Sequence, residues 1–362
     1  VAERLLTVVR PNDTVARLGG DEFVVLCDEL VDPRAEAMAV AARIVSCLGP
    51  AFSVGDREVL VTASIGVAPL GPGDTAEDLM ARADEAMYRA KHLGRGRIEV
   101  YDPSADRLHT RRVDLASSMA HALAERQLHI AYQPVVDLAA GRLVAREALL
   151  RWTHPDFGNV LPSEFIPVAE ETGLIVDIGR WVLDKACRDC AQWRASGEPS
   201  VGVAVNVSGR QLLGERFEED VEAVLAGAGL EPEALTLEVT ETLLMAGQPE
   251  IRTVLERIRA SGVRVAVDDF GTGYSSLSWL ARLPLDVMKV DRSFIASLGL
   301  VARESAIVAA MIHLAHTLGF SVVAEGVEND SQLSRLASLG CDGAQGYLLG
   351  YPEELGPSAS GV

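Results

Sequence analysis

Val263-Arg264-Val265-Ala266-Val267-Asp268-Asp269-Phe270-Gly271 is a β-branched, apolar run that ends on two adjacent carboxylates. A run of this kind reads as a buried strand. Similar short runs recur on both sides of it: Ile130-Ala131-Tyr132, Leu143-Val144-Ala145, Val201 to Val205, Leu235-Thr236-Leu237, Val287-Met288, Ser321-Val322-Val323, and a last one around Gly346-Tyr347-Leu348. Helical patterns separate most of them. Strand alternating with helix over about 240 residues is the rhythm of an α/β chain, either a (β/α)8 barrel or a doubly wound open sheet. Periodicity alone does not separate the two.

The polar residues do. Glu147 follows the second run, Asn206 ends the third, Glu238 the fourth, and Asp268 and Asp269 the fifth. Lys289 and Asp291 lie at the sixth, Glu325 ends the seventh, and Gln345 lies by the eighth. In a barrel the C-terminal ends of the strands converge on one mouth, where active sites are built. Helix N-caps explain an Asn or an Asp at one strand end, but they do not explain three Glu, a Lys and a Gln in the same ring. The expected fold is therefore an α/β protein with a (β/α)8 barrel. Carboxylates with one amide and no His or Cys form a hard oxygen-donor set, suited to Mg2+ or Mn2+. Adjacent Asp268 and Asp269 can supply a bridging and a terminal ligand for two close ions, an arrangement suited to in-line displacement at phosphorus. Lys289 adds positive charge where the transition state builds negative charge. The residues alone point to a metal-dependent phosphoester hydrolase with no substrate named.

The 362 residues carry a formal net charge of −19, with 48% hydrophobic and 23% charged residues. The acidic balance argues against a DNA or RNA binder, which needs a basic face to displace counterions. It is compatible with a phosphate substrate held through divalent cations. No apolar run is long enough to span a bilayer and no signal-peptide pattern opens the chain. Five scattered cysteines do not form a disulfide framework, which points to a reducing, cytoplasmic compartment. Cys187 and Cys190 read as a helix face rather than a redox or zinc pair, and His313 and His316 as ordinary helix residues. The opening Val1-Ala2-Glu3-Arg4-Leu5-Leu6 reads as an amphipathic helix from a longer protein, with a sensor or membrane anchor conceivable upstream.

Residues 1–102 have a different pattern. Phe23-Val24-Val25-Leu26 and Val59 to Val67 read as strands, and Ala76 to His92 as a helix ending at Gly94. Gly19-Gly20 between two strand runs reads as a hairpin turn, followed by the acidic pair Asp21-Glu22 and Phe23. Residues 103–128 read as a helical linker and 129–354 as the barrel.

The barrel segment resembles the EAL phosphodiesterases, which act on cyclic di-GMP. The resemblance rests on Glu147-Ala148-Leu149-Leu150-Arg151-Trp152, Tyr132-Gln133-Pro134, Asn206-Val207-Ser208, Glu238-Val239-Thr240-Glu241, Asp268 to Leu277, Lys289-Val290-Asp291, Ala324-Glu325-Gly326-Val327-Glu328 and Gly343-Ala344-Gln345-Gly346-Tyr347. It implies two Mg2+ or Mn2+ ions held by Glu147, Asn206, Glu238, Asp268, Asp269 and Glu325. Lys289, and Glu325 in a second role, would serve the attacking water. Gln133, Arg151, Gln345 and Asp291 would lie along the dinucleotide, with Arg151 forking a phosphate. Glu241 would steady the loop that begins at Asp268 and link it to dimer contacts. The implied product is linear pGpG, and the implied assembly a homodimer. One departure is Tyr351 before Pro352, where the family usually has a basic residue.

The first segment resembles a GGDEF domain, an α+β diguanylate cyclase fold, through Arg17-Leu18-Gly19-Gly20-Asp21-Glu22-Phe23. Arg10 and Asp13 sit at the spacing of that family's product-inhibition site, and Lys91 and Arg95 match its later phosphate contacts, with Gly96 where Asn is usual. The family's metal-binding first strand and guanine-binding helix are expected before Val1, so this segment alone is not expected to cyclise GTP, although a longer parent could use it. Two further readings fit the same residues: a receptor that holds cyclic di-GMP without turnover, and a parent acting mainly as a diguanylate cyclase.

Overall fold

The computed structural model describes residues 1–54, 57–59, 61–71, 73–92, 96–271, 280, 282–298 and 302–355. Gly94 and Arg95, and Thr272 to Leu277 of the motif that begins at Asp268, lie outside them. The chain divides into two compact units, Val1–Arg111 and Arg112–Val362.

In the first unit, helix Ala2–Val8 and helix Pro33–Leu48 bury Leu5, Val40, Ile44 and Leu48 in one small core. Asp32 starts the longer helix: its carboxylate accepts from Ala35 N at 3.0 Å, and Pro33 takes the first helical position, where no N–H is needed. Strands Thr14–Gly19 and Glu22–Leu26 pair antiparallel, and Gly20 turns between them at φ 50°, the left-handed region a tight hairpin requires. The strand expected over Val59 to Val67 is two pieces, Arg57–Val59 and Ile65–Val67, which belong to different pairings. Helix Ala76–His92 falls where its 3–4 spacing places it and connects Ile65–Val67 to the parallel strand Ile98–Val100.

The second unit holds the barrel, with strands β1 (Leu128–Asp137), β2 (Arg142–His154), β3 (Gly202–Asn206), β4 (Leu235–Thr240), β5 (Arg264–Phe270), β6 (Val287–Val290), β7 (Ser321–Ala324) and β8 (Gly343–Ala344). They form one nine-stranded sheet with the short strand Gly158–Val160, and the β2–β3 pairing closes the other eight into a ring. The strands from β2 through β8 run parallel around the ring, but β1 is antiparallel to both its neighbours, β2 and β8. The expected (β/α)8 barrel is present, with the first strand departing from the parallel pattern. β1 and β2 are joined by a tight turn, Asp137 to Gly141, with no room for a crossover helix. The eighth strand is Gly343–Ala344 rather than the run at Gly346-Tyr347-Leu348, which lies just beyond it.

The parallel strands are buried on both faces, as their near-continuous Val and Leu require. Helices pack outside. Ile175–Ala195 buries Ile178, Val182, Leu183, Ala186, Cys187 and Cys190, a stripe at three-to-four-residue spacing. Cys187 and Cys190 are free and buried, and burial pushes their thiols up to about 12 and about 11, so both act as small apolar packing groups. His316 pairs through Nε2 with Asp342 at 2.8 Å. At the N-terminal end of the barrel, Asp286 takes a bidentate Arg259 contact at 2.8 and 3.1 Å and accepts from Val265 N at 2.9 Å. That end is fastened by structural bonds, which leaves the opposite mouth for chemistry. Among the described residues no helix is long and apolar enough to cross a membrane.

Candidate active site at the barrel mouth

Parallel register sets the first part of the site. Asn206, the last residue of β3, stands beside Glu238 on β4, and Ala204 stands beside Glu147 on β2. Glu147 lies within its strand, and its register partner on the antiparallel β1 is Gln133. Asp268 and Asp269 fall where the β5–β6 register shifts, between Val267 and Phe270. Such a bulge re-aims side chains near a strand end. Asp269 has φ 54°, a left-handed conformation that Asp tolerates better than most residues, and its N–H bonds back to Asp268 Oδ1 at 2.9 Å.

Lys289 is the hub. Only 2% exposed, its Nζ lies 2.7 Å from Glu238 Oε2, 2.7 Å from Glu325 Oε1, 3.2 Å from Glu147 Oε2 and 3.3 Å from Asp268 Oδ1. Asn206 Nδ2 donates to Glu147 Oε1 at 2.7 Å. Gln345 Nε2 donates to Glu147 Oε2 at 2.7 Å and to Gln133 Oε1 at 2.9 Å. Gln133 Nε2 in turn donates to the Gly350 carbonyl at 3.2 Å. Eight side chains from separated positions in the sequence, with the Gly350 carbonyl, thus form one connected network, of which the ring at the strand ends is the visible trace.

The network is over-supplied with negative charge. Burial opposes the Lys289 ammonium, but Glu147, Glu238, Glu325 and Asp268 outweigh it and hold its pKa well above the ordinary value. Burial opposes ionisation of Glu147 as well, yet Lys289, Gln345 and Asn206 bring its pKa below the ordinary value. The other carboxylates go the opposite way. Burial and then Glu147 push Glu238 well up, and burial, Asp268 and Asp291 raise Asp269. Burial, with Asp268 and Glu147 adding and Lys289 opposing, raises Glu325 to about 7. One ammonium does not satisfy five crowded carboxylates, so the site favours further cations or protons.

The geometry suits cations. Glu147, Glu238 and Asp268 each offer an oxygen within 4.8 Å of the others, and so do Asp268, Asp269 and Glu325, with Asp268 common to both groups. All the donors are hard oxygens. Gln345 Oε1 is buried and, among the described residues, has no hydrogen-bond partner, which leaves an acceptor free for a water or ligand donor.

Other expected residues take different positions. Arg151 lies four residues beyond Glu147 on β2, on the same face and about 13 Å along at about 3.3 Å per residue. Its Nη1 donates to the Leu150 carbonyl at 3.0 Å, so it flanks the cluster without touching it. Asp291 accepts from Ser293 N at 3.0 Å and caps helix Arg292–Ile295, close enough to Asp269 to raise its pKa. Glu241, 1% exposed, accepts from Gly271 N at 2.7 Å and so holds the chain just past Asp268-Asp269. In the first unit, Asp21 follows the hairpin turn and Arg17 Nε donates to the Gly20 carbonyl at 3.0 Å. Arg10 pairs with Glu36 at 2.9 Å, and Asp13 Oδ2 accepts from Arg10 N at 2.7 Å.

The segment that follows β8, expected to hold the last strand, instead forms a strap against the site. Gly346 presses on Val327: a Cβ there would stand 2.2 Å from both Val327 N and Val327 O. Gly350 carries the carbonyl that Gln133 holds, and Tyr132 and Glu353 exchange backbone bonds of 2.8 and 3.1 Å. This strap ties Gln133 and Gln345 to each other. The paired glycines Gly346 and Gly350 were its signal.

A closed barrel whose strand ends carry this acidic network defines a class, and the match to known families agrees. Residues 116–352 match the EAL domain model, and the chain belongs to that family. Residues 1–97 match the model of the diguanylate cyclase GGDEF domain. The bifunctional diguanylate cyclase/cyclic di-GMP phosphodiesterase MucR of Pseudomonas aeruginosa is 44% identical over 354 residues, covering 97% of this chain and 51% of MucR. The cyclic di-GMP phosphodiesterase NbdA of the same organism is 39% identical over 354 residues, covering 97% of this chain and 45% of NbdA. The chain therefore spans about half the length of these curated relatives. A solved MucR phosphodiesterase in complex with c-di-GMP superposes with a TM-score of 0.63 at 44% identity, covering 66% of this chain and 97% of that one.

Proposed function

We propose that the barrel hydrolyses cyclic di-GMP to linear pGpG. The observation that carries this reading is the pair of carboxylate triads sharing Asp268 around the buried Lys289. MucR and NbdA, both named for cyclic di-GMP hydrolysis, support it.

Glu147, Asn206, Glu238, Asp268, Asp269 and Glu325 would hold two Mg2+ or Mn2+ ions. When bound, such a pair supplies positive charge to the phosphate oxygens and lowers the pKa of the attacking water. The chain's own groups do the rest. Lys289, anchored by Glu238, adds a fixed positive charge beside the reacting phosphate. Glu325, held 2.7 Å from Lys289 Nζ at the same mouth, would accept the proton of the attacking water. The new oxygen–phosphorus bond forms as the bond to the ribose 3′ oxygen breaks, and that oxygen takes a proton from solvent. Gln345 offers its free Oε1 to a donor at the same place, Gln133 orients Gln345, and Arg151 reaches the second phosphate from its position further along β2. Glu241 keeps the Asp268-Asp269 turn in place through Gly271. Residues 1–102 would be a GGDEF domain that handles GTP in a longer protein, 103–128 a linker, and the barrel of residues 129–354 would pair as a homodimer in the cytoplasm.

The direct test is incubation with cyclic di-GMP and Mg2+ or Mn2+, with and without EDTA, followed by chromatography of the nucleotides. Metal-dependent conversion to pGpG is expected. Tight binding without conversion would replace this reading with a receptor.

A further inference from the structure

The strap beyond β8 carries two tyrosines that the mechanism does not use. Tyr347 and Tyr351 are 55% and 61% exposed, yet their rings stack at 4.6 Å between centroids and 18° between planes. Their position is fixed by the site itself. Tyr347 lies two residues beyond Gln345, which bonds Glu147 and Gln133, and Tyr351 follows Gly350, whose carbonyl Gln133 holds. The Tyr132–Glu353 bridge pins the far end of the strap to β1. An ordered aromatic stack therefore stands exposed beside an acidic mouth.

The geometry points to Tyr347 and Tyr351 as a stacking platform for one purine base of the cyclic dinucleotide. This inference rests on the proposed function and names which part of the substrate the strap recognises. The phosphates belong at the carboxylate network, so each base must lie to one side of it, where a flat π surface satisfies it without charge. A pre-stacked pair presents a broad face that is already ordered, and the base adds to that stack with little loss of side-chain entropy. Stacking demands a planar base but does not read its edges.

The test uses the whole chain with Ca2+ in place of Mg2+ to slow turnover, and a cyclic dinucleotide in which 2-aminopurine replaces one guanine. Quenching of the 2-aminopurine fluorescence on binding is expected for the wild type and for Tyr351→Phe. In Tyr351→Leu and in the Tyr347→Leu/Tyr351→Leu double variant the quenching is lost and Kd rises roughly tenfold. The single variant, at a well-exposed position, keeps the test valid if the double variant has a lowered Tm. Unaltered fluorescence on binding to the wild type, or full quenching in the Leu variants, would overturn the platform. A wild type that neither binds nor hydrolyses cyclic di-GMP would instead overturn the proposed function, and this inference with it.

Discussion

Lys289→Met removes the ammonium that touches four carboxylates, three buried and Glu325 half-buried, at 2.7–3.3 Å. Met keeps the length and bulk of the side chain, so packing changes little and the effect is electrostatic. Breaking a buried ion pair by deleting one partner costs about 3–5 kcal/mol, because the remaining charge stays desolvated and uncompensated. At roughly 2–4 °C per kcal/mol for a domain of this size, Tm is expected to fall by about 6–20 °C. Two conditions should soften the loss. Acidic pH should, because Glu238 and Glu325 already lean towards protonation. Divalent cations should too, because they supply the positive charge that the ammonium withdrew. The assay is calorimetry of both proteins at neutral pH, in EDTA and in millimolar Mn2+, repeated near pH 5. The reasoning requires a large Tm difference in EDTA at neutral pH that shrinks in the other two conditions. A difference that ignores both pH and Mn2+ would refute it and mark Lys289 as a packing residue.

Further outcomes follow from the same network. Glu325 has its pKa raised from 4.5 to about 7, so between those pH values the folded metal-free chain binds more protons than the unfolded one. Its contribution to stability therefore declines as pH rises from about 4.5 to 7, by on the order of a few kcal/mol, and is flat above and below. Glu325→Gln should flatten that slope in urea titrations run across the range. Gly346→Ala forces a methyl to within 2.2 Å of the Val327 backbone and should cost about 3 kcal/mol or more, with turnover falling as Gln345 and Gln133 shift; chemical denaturation and initial rates report both. Arg151→Ala, remote from the carboxylates, should raise KM for cyclic di-GMP about tenfold or more while kcat changes less, and an unchanged KM would remove the phosphate-fork role.

Sequence and structure agree most where burial and chemistry both constrain a residue. The run at Val263 had to be a buried strand, and the carboxylates at the strand ends had to meet if the sheet closed. Direction was harder to read. A period-two pattern is the same forwards and backwards, so Ile130-Ala131-Tyr132 gave no sign that β1 runs against its neighbours. The tight turn at Asp137 to Gly141, too short for a helix, was the available clue. The eighth strand was misplaced because Gly343-Ala344 has too little side chain to register as apolar, whereas Tyr347 and Leu348 look buried and are exposed. The strand expected through Val59 to Val67 breaks because two pairings share one apolar stretch. Among site residues, the inward-facing carboxylates and Lys289 were legible from type and spacing. Asp291 caps a short helix, a local bonding role that its place beside Lys289 in the sequence does not display.

The most direct measurement of the central claim is the placement of Mn2+ by anomalous scattering in crystals of this chain. The account requires two peaks about 4 Å apart, one against Glu147, Glu238 and Asp268 and the other against Asp268, Asp269 and Glu325. A single peak, or Mn2+ bound away from Asp268 with Lys289 still contacting all four carboxylates, would contradict it.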